Sequence, residues 1–254
     1  MTTVSTIVQG PVFLARMDNP KANALSQRLI DDLTAAVTAF AESHARVLVI
    51  SSALDGFFAA GADIKLMAKA TPETFAAYGA SMRVVLDRIA GLDRPSIAAI
   101  DGLALGGGLE LALACTMRVG SETSRLGLPE PKLGLIPGAG GTQRLPRMIG
   151  RARALDIMLT AREVGATEAH RIGLLDRVTK PGHAVDAAVD LAQQLAALSR
   201  PALYAIVQCV TDAADLPLSD GCANEAKRVE ELFASPDGKE GLAAFLAKRQ
   251  PHFA

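Results

Sequence analysis

The 254-residue sequence is short of most features that assign a function at sight. It carries almost no charge excess, with 26 Lys and Arg against 27 Asp and Glu and a formal net charge of −1. That balance argues against a general nucleic-acid or membrane-surface binder, which needs a basic face. Long uncharged runs are missing as well. The most apolar stretch, 95–117, is broken by Asp101 and Glu110 and holds a glycine triplet, so it does not read as a bilayer span. The opening "MTTVSTIVQGPVFLARMD" lacks a basic leader, an extended apolar core and an arginine run. A secretory or organellar presequence is therefore not expected. Cys115, Cys209 and Cys222 are odd in number and far apart, which fits reduced core thiols in a cytoplasmic protein. The four histidines form no short ligand spacing, so no metal site is expected. Neither "GGG" nor "GAGGTQ" completes G-x-G-x-x-G, and no G-x-x-x-x-G-K-[ST] occurs, which disfavours a nucleotide phosphate loop.

What is present is an alternation of strand and helix patterns. "STIVQGPVFLARM" reads as a hairpin around Gly10-Pro11. Ser26 is placed to cap a helix whose apolar residues Leu29, Ile30, Leu33, Val37 and Phe40 recur at helical spacing. "RVLVISS" (46–52) and "PSIAAIDG" (95–102) read as buried parallel strands, and 71–90 as a helix with Pro72 in its first turn. Such alternation implies an α/β domain with mostly parallel sheets. Beyond Pro146 the patterns are mainly helical, apart from a last strand in 174–179, and Ser235-Pro236 opens a short final helix. The division expected is a core over 1–195 and a helical region over 196–254.

Three turns are unusually bare. "FFAAGADIKLM" (57–67) crowds small residues where the chain leaves a strand. Either the backbone packs closely on its own core, or an outside molecule must reach the amides. "ALGGGLELALAC" puts Gly106, Gly107 and Gly108 at a helix start, where glycine costs entropy and helix propensity. Close helix–strand packing explains the triplet by itself; exposed N–H groups of a first turn are the alternative. "IPGAGG" opens another helix near Gly140 and Gly141. A glutamate accompanies each glycine-rich helix start. Glu110 is the lone charge in an apolar segment, where burial raises a carboxyl pKa toward general acid–base use. Glu130 is clamped between Pro129 and Pro131 in a rigid turn rather than a helix. Converging amides would suit a developing oxyanion.

These residues resemble the enoyl-CoA hydratase/isomerase, or crotonase, superfamily. The matching stretches are "NPKANAL" (19–25), "FFAAGADIKLM" (57–67), "RPSIAAIDGLALGGGLELALAC" (94–115), "GLPEPKLGLIPGAGGTQRLPRMIG" (127–150) and "EGLAAFLAKRQPHF" (240–253), in family order along nearly the whole chain. The resemblance implies a crotonase-type spiral of ββα units with a helical C-terminal region that trimerises, as a homotrimer or a dimer of trimers. It implies that an acyl-CoA thioester oxygen is held by the backbone N–H groups of Ala62 and Gly107. Glu110 would orient and activate water, Glu130 would deliver a proton to C2, and the Gly138 amide would touch the same water. Lys21, Ala22, Ala24, Ala60, Asp63, Ile64 and Lys65 correspond to positions around the pantetheine and adenine. Phe245 and Lys248 resemble a contribution to a neighbouring subunit's CoA; the plainer alternatives are a core residue of the last helix and a cation favoured by its dipole. No cofactor is implied, since CoA is part of the substrate. Chain-length walls are expected from 66–90 and 145–160.

The chain departs from the family pattern at Leu128, Pro131, Thr116 and Asp101, none of which removes a catalytic group. The expected activity is enoyl-CoA hydration in fatty-acid or related acyl-CoA breakdown. A Δ3-Δ2 enoyl-CoA isomerase, another crotonase-fold lyase or hydrolase, and a non-catalytic acyl-CoA-binding member stand as alternatives, because one fold hosts several reactions.

Overall fold

The computed structural model describes residues 2–253. The expected hairpin opens the fold, with β1 (Val4–Gln9) antiparallel to β2 (Val12–Met17). Helix α1 (Gln27–Glu42) follows, and the Ser26 side chain accepts the Leu29 N–H at its start. Its five predicted apolar residues are all buried. Next come β3 (Val47–Ser52), β4 (Phe57–Ala59), the short α2 (Ile64–Met67) and α3 (Pro72–Ala90). Thr71 and Thr74 bond reciprocally across the first turn of α3, with Pro72 at the position where a missing N–H costs nothing.

The same two-strand-and-helix unit then recurs. β5 (Ser96–Ile100) and β6 (Leu103–Leu105) lead into α4 (Gly107–Ala114). β7 (Met117–Ser121) and β8 (Arg125–Gly127) lead, through a 3-10 turn at Glu130–Leu133, into α5 (Gly141–Ile149). Both strands of the opening hairpin join a six-stranded sheet of order β1-β2-β3-β5-β7-β10; from β3 onward the first strand of each unit joins that sheet and the second joins a four-stranded sheet of order β4-β6-β8-β9. The remaining elements are α6 (Arg151–Thr160), β9 (Glu163–Gly165), α7 (Ala166–Arg171), β10 (Arg177–Thr179), α8 (Ala184–Ala196), α9 (Arg200–Asp212), α10 (Leu218–Ala234) and α11 (Pro236–Leu246). This is the ββα spiral that the resemblance implied. Helix α4 starts at the glycine triplet as expected; the unforeseen element before it is β6, one of four strands of only three residues that make the small sheet. Runs that short carry no measurable period.

The inner strands β3 and β5 of the large sheet are buried on both faces, which is why they are continuous apolar runs rather than alternating ones. Leu48, Ile50, Ala98 and Ile100 face the main core with α1 and α3. Val47, Val49, Ile97 and Ala99 face the opposite side, covered by Ala188, Leu191 and Ala192 of α8. Asp101, a departure from the family pattern, anchors that cover by accepting the Gly182 and Ala184 N–H groups at the start of α8. Thr116, another departure, exchanges bonds with Ser96, its hydroxyl taking the Ser96 N–H while its own N–H goes to the Ser96 hydroxyl.

The glycine triplet divides between the two readings it allowed. Gly108 is a packing residue, since a Cβ there would lie 2.1 Å from the Ala59 carbonyl oxygen. Gly108→Ala should therefore push α4 off β4 and destabilise the fold by about 1–3 kcal/mol, the range for overpacking a dense core. Denaturant titration checks it; an unchanged midpoint would mean that α4 shifts freely.

Candidate active site

Strands β4, β6 and β8 run parallel as neighbours, so the chain leaves all of them at the same end of the small sheet. That end receives three successive turns: Ala60–Ala62 after β4, Gly106 after β6, and Leu128–Glu130 after β8. Ligands of open parallel sheets gather at this carboxyl end. Leu25 steadies the first turn, its N–H donating to the Gly61 carbonyl at 2.8 Å. The Tyr78 hydroxyl donates to the Leu25 carbonyl at 2.6 Å and accepts the Asp63 N–H at 3.1 Å, pinning the peptides beside Ala62. With their neighbours so tied, the Ala62 and Gly107 N–H groups find no acceptor among the described residues. A Cβ on Gly107 would stand 3.7 Å from the Ala62 nitrogen, an ordinary contact that puts the two turns side by side. Gly106 reaches this geometry with φ 52°, a conformation that glycine adopts without penalty.

Glu110 lies on the first turn of α4 and is 1% exposed. One of its oxygens, Oε1, accepts the Ala139 N–H at 2.7 Å and the Gly141 N–H at 2.8 Å. Burial pushes its carboxyl pKa up, opposed by those two donors and by the positive charge of Arg144. The same arginine fastens the turn by donating to the Ala139 carbonyl at 2.9 Å and to Asp87 at 2.7 Å. Glu130 opens the 3-10 turn, one step more regular than the plain turn its flanking prolines suggested. Burial pushes its carboxyl up to about 7, against its own backbone N–H, and the Glu110 charge adds to the rise. Its Oε2 is buried with no hydrogen-bond partner among the described residues. An oxygen left so is costly unless a further group meets it.

Ala62, Gly107, Gly138, Glu110 and Glu130 line one cavity of about 280 Å³. Its remaining wall is largely apolar, with Ile64, Met67, Phe75, Met82, Leu135 and Ile136. Helices α2 and α3 thus supply the wall expected from 66–90. No residue of 145–160 lines the cavity; Leu133, Leu135 and Ile136, at the end of the 3-10 turn and just after it, take that place.

The expected CoA positions are more scattered. Ala60 and Ile64 line the cavity, but the Ala60 N–H is already given to the Ala22 carbonyl at 3.0 Å. Asp63 caps α2, its Oδ1 accepting the Lys65 and Leu66 N–H groups. Lys21 and Lys65 are exposed, and Ala24 gives its carbonyl to Ser26 and Asn19. Phe245 is 81% exposed, which rules out the alternative of a core residue within one chain. Neither it nor Lys248 reaches the cavity in a single chain.

Sequence reasoning missed Asn23, which is fully buried and holds the 19–25 turn. Its Oδ1 accepts the Asn19 N–H, and its Nδ2 donates to Ser52 and to the Phe58 carbonyl. An asparagine between alanines in "KANAL" was the available signal. Tyr78, Arg83 and Arg144 were missed as well, since their partners lie far away along the chain and no local spacing marks them.

The raised Glu130 carboxyl bears on stability. A carboxyl whose folded pKa exceeds its unfolded value contributes stability below about pH 4.5 and loses it as pH rises through about 7. Glu130→Gln cannot titrate, so its melting temperature should gain on the parent between pH 5 and pH 8 and hold that gain above. The gain should be about 1–2 kcal/mol, once partial solvent access is allowed for. Melting curves at several pH values test it; parallel curves would place Glu130 in ordinary solvent.

Comparison with known proteins adds an independent finding. The family model described as Enoyl-CoA hydratase/isomerase matches residues 8–254. A probable enoyl-CoA hydratase of Rhizobium meliloti is 40% identical over 252 residues, covering 99% of this chain and 97% of its own. The mitochondrial methylglutaconyl-CoA hydratase of Homo sapiens is 40% identical over 236 residues, covering 91% of this chain and 70% of its own. The crystal structure of an enoyl-CoA hydratase from Bacillus anthracis superposes with a TM-score of 0.95 at 34% identity, covering 99% of this chain and 98% of that one.

Proposed function

Because the chain belongs to the enoyl-CoA hydratase/isomerase family, we propose that it adds water across the C2=C3 bond of a trans-2-enoyl-CoA to give the 3-hydroxyacyl-CoA. One observation carries the choice of hydration: two carboxyl groups meet in one apolar cavity beside two unpartnered amides. Moving a single proton, as an isomerase does, can be managed with one acid–base group. Adding H and OH to adjacent carbons is better served by two.

In this reading the thioester oxygen accepts the N–H groups of Ala62 and Gly107. As water attacks C3, electrons shift from the double bond toward that oxygen, and the two donors strengthen as its charge grows. Glu110, ionised, takes the proton leaving the water. Its Oε1 is occupied by Ala139 and Gly141, so Oε2 is the oxygen free to do this. Glu130, protonated on the acid side of about 7, gives its proton to C2. A proton then passes from Glu110 back to Glu130 through solvent or product, and both begin the next cycle unchanged. The Gly138 N–H is assigned to the same water, and backbone around 21–24 and 60–65 to the CoA. Water addition neither oxidises nor reduces the acyl group, so the reaction as proposed calls for no cofactor besides the CoA of the substrate. The exposed apolar residues of the last two helices, Phe233, Phe245 and Leu246 among them, suit assembly of copies through 196–254.

The test is direct. Purified protein given crotonyl-CoA should bleach the ultraviolet absorbance of the conjugated enoyl thioester and form 3-hydroxybutyryl-CoA. Inertness toward 2-enoyl-CoA together with conversion of 3-enoyl-CoA would replace hydration by isomerisation.

A further inference from the structure

Arg83 is the single cation in the cavity wall among the described residues, and the two glutamates do not account for it. It lies on α3 at the exposed rim, where its Nη1 donates to the Gly138 carbonyl at 3.3 Å. That is its only protein bond among the described residues, and no acidic side chain pairs with it. The positive charge acting on Glu110 is that of Arg144, and Arg83 is absent from the charges acting on either glutamate. Gly79, one turn earlier, makes room for it: a Cβ there would lie 3.2 Å from Nη1. A glycine within a helix costs about 0.5–1 kcal/mol relative to alanine, so the notch calls for a reason, and the folded-over guanidinium supplies one. Four of its five N–H donors remain free at the edge of an apolar cavity, where a charge-assisted pair gains from the lower dielectric.

We propose that Arg83 receives a carboxylate at the far end of the acyl group, so that the preferred substrates are enoyl-CoA thioesters of dicarboxylic acids. The planar fork matches a carboxylate in two parallel bonds, which a lysine would not reproduce. It also offsets the repulsion that an acyl carboxylate meets from ionised Glu110 in the same cavity. A plain alkyl tail would need none of this.

This inference rests on the acyl-CoA reading, and the experiment separates the two. Binding is measured by calorimetry with saturated glutaryl-CoA, pentanoyl-CoA and free CoA; turnover is measured with glutaconyl-CoA and its neutral neighbour 2-pentenoyl-CoA. The parent protein should favour the acid-tailed member of each pair by about tenfold or more, on the scale of a charge-assisted bond. Arg83→Gln should erase the preference, and Arg83→Lys should restore part of it. Gly79→Ala, which keeps the charge but crowds the guanidinium, should reduce the preference while leaving the fold at least as stable. A preference in binding without any turnover would uphold Arg83 and overturn hydration. Hydration without a preference would do the reverse. If Arg83→Gln weakens free CoA as much as glutaryl-CoA, the guanidinium serves the CoA phosphates and the proposal falls, as it does if no acyl-CoA binds.

Discussion

Glu110→Gln and Glu130→Gln are each expected to slow hydration of crotonyl-CoA by about 10²–10⁴-fold, the usual contribution of a positioned acid or base. The substitution suits Glu110 because an amide oxygen can still accept the Ala139 and Gly141 N–H groups that now meet Oε1. Its amide nitrogen then faces the water and cannot take a proton from it. In Glu130→Gln the shape of the turn is kept and the proton for C2 is lost. Two groups serving one water act as a unit, so the double variant should be scarcely slower than either single one. Affinity for free CoA should be untouched in all three. Turnover within a few-fold of the parent in both single variants, with CoA still bound, would discard the paired-carboxylate reading.

The pair also makes the site costly to the fold. Burial raises both carboxyl groups, and Glu130 keeps an oxygen unpartnered beside its neighbour's charge. The neutral variant that should lose turnover is therefore the one that should melt later above pH 7. Opposite signs for activity and stability at one residue distinguish a group held for chemistry from one held for packing.

The elements legible in the sequence were those with their own period or cap. Helix α1 buries its five predicted apolar residues on one face behind a serine cap, and α3 has a proline in its first turn. The large-sheet strands β3 and β5 announce themselves as β-branched or apolar runs buried on both faces. The small sheet was invisible, because three-residue strands such as β4 and β6 are held by neighbours in space and not by their own pattern. The cavity members with backbone or acid–base work lay in short conspicuous stretches of glycine, alanine and proline. Those that position them did not. Tyr78 reaches Leu25 and Asp63, and Arg144 reaches Asp87, across separations that only folding closes. The triplet at 106–108 shows the limit within one motif. Its members look alike as letters, yet Gly108 is glycine because β4 touches it, while Gly106 is glycine because of its φ.

Gly107 is then the residue at which the oxyanion reading is most exposed to test. Gly107→Pro should lower kcat by about 10²–10³-fold, the loss recorded when one oxyanion donor is removed. Proline is normally a poor choice in a helix, but Gly107 is the first residue of α4, where its N–H has no helical acceptor and the fixed φ is tolerated. The remaining cost is steric. A Cβ there meets the Leu25 Cδ1 at 2.9 Å and the Met82 Sδ at 3.3 Å, both ends of side chains that can turn aside. Gly107→Ala carries the same Cβ into the same neighbours but keeps the N–H, so it measures that cost by itself. The expected order is parent, then alanine with a small loss, then proline with a large one, in variants whose melting temperatures agree. If alanine and proline lose activity equally, crowding at Leu25 is the cause, and the thioester oxygen is held by something other than this amide.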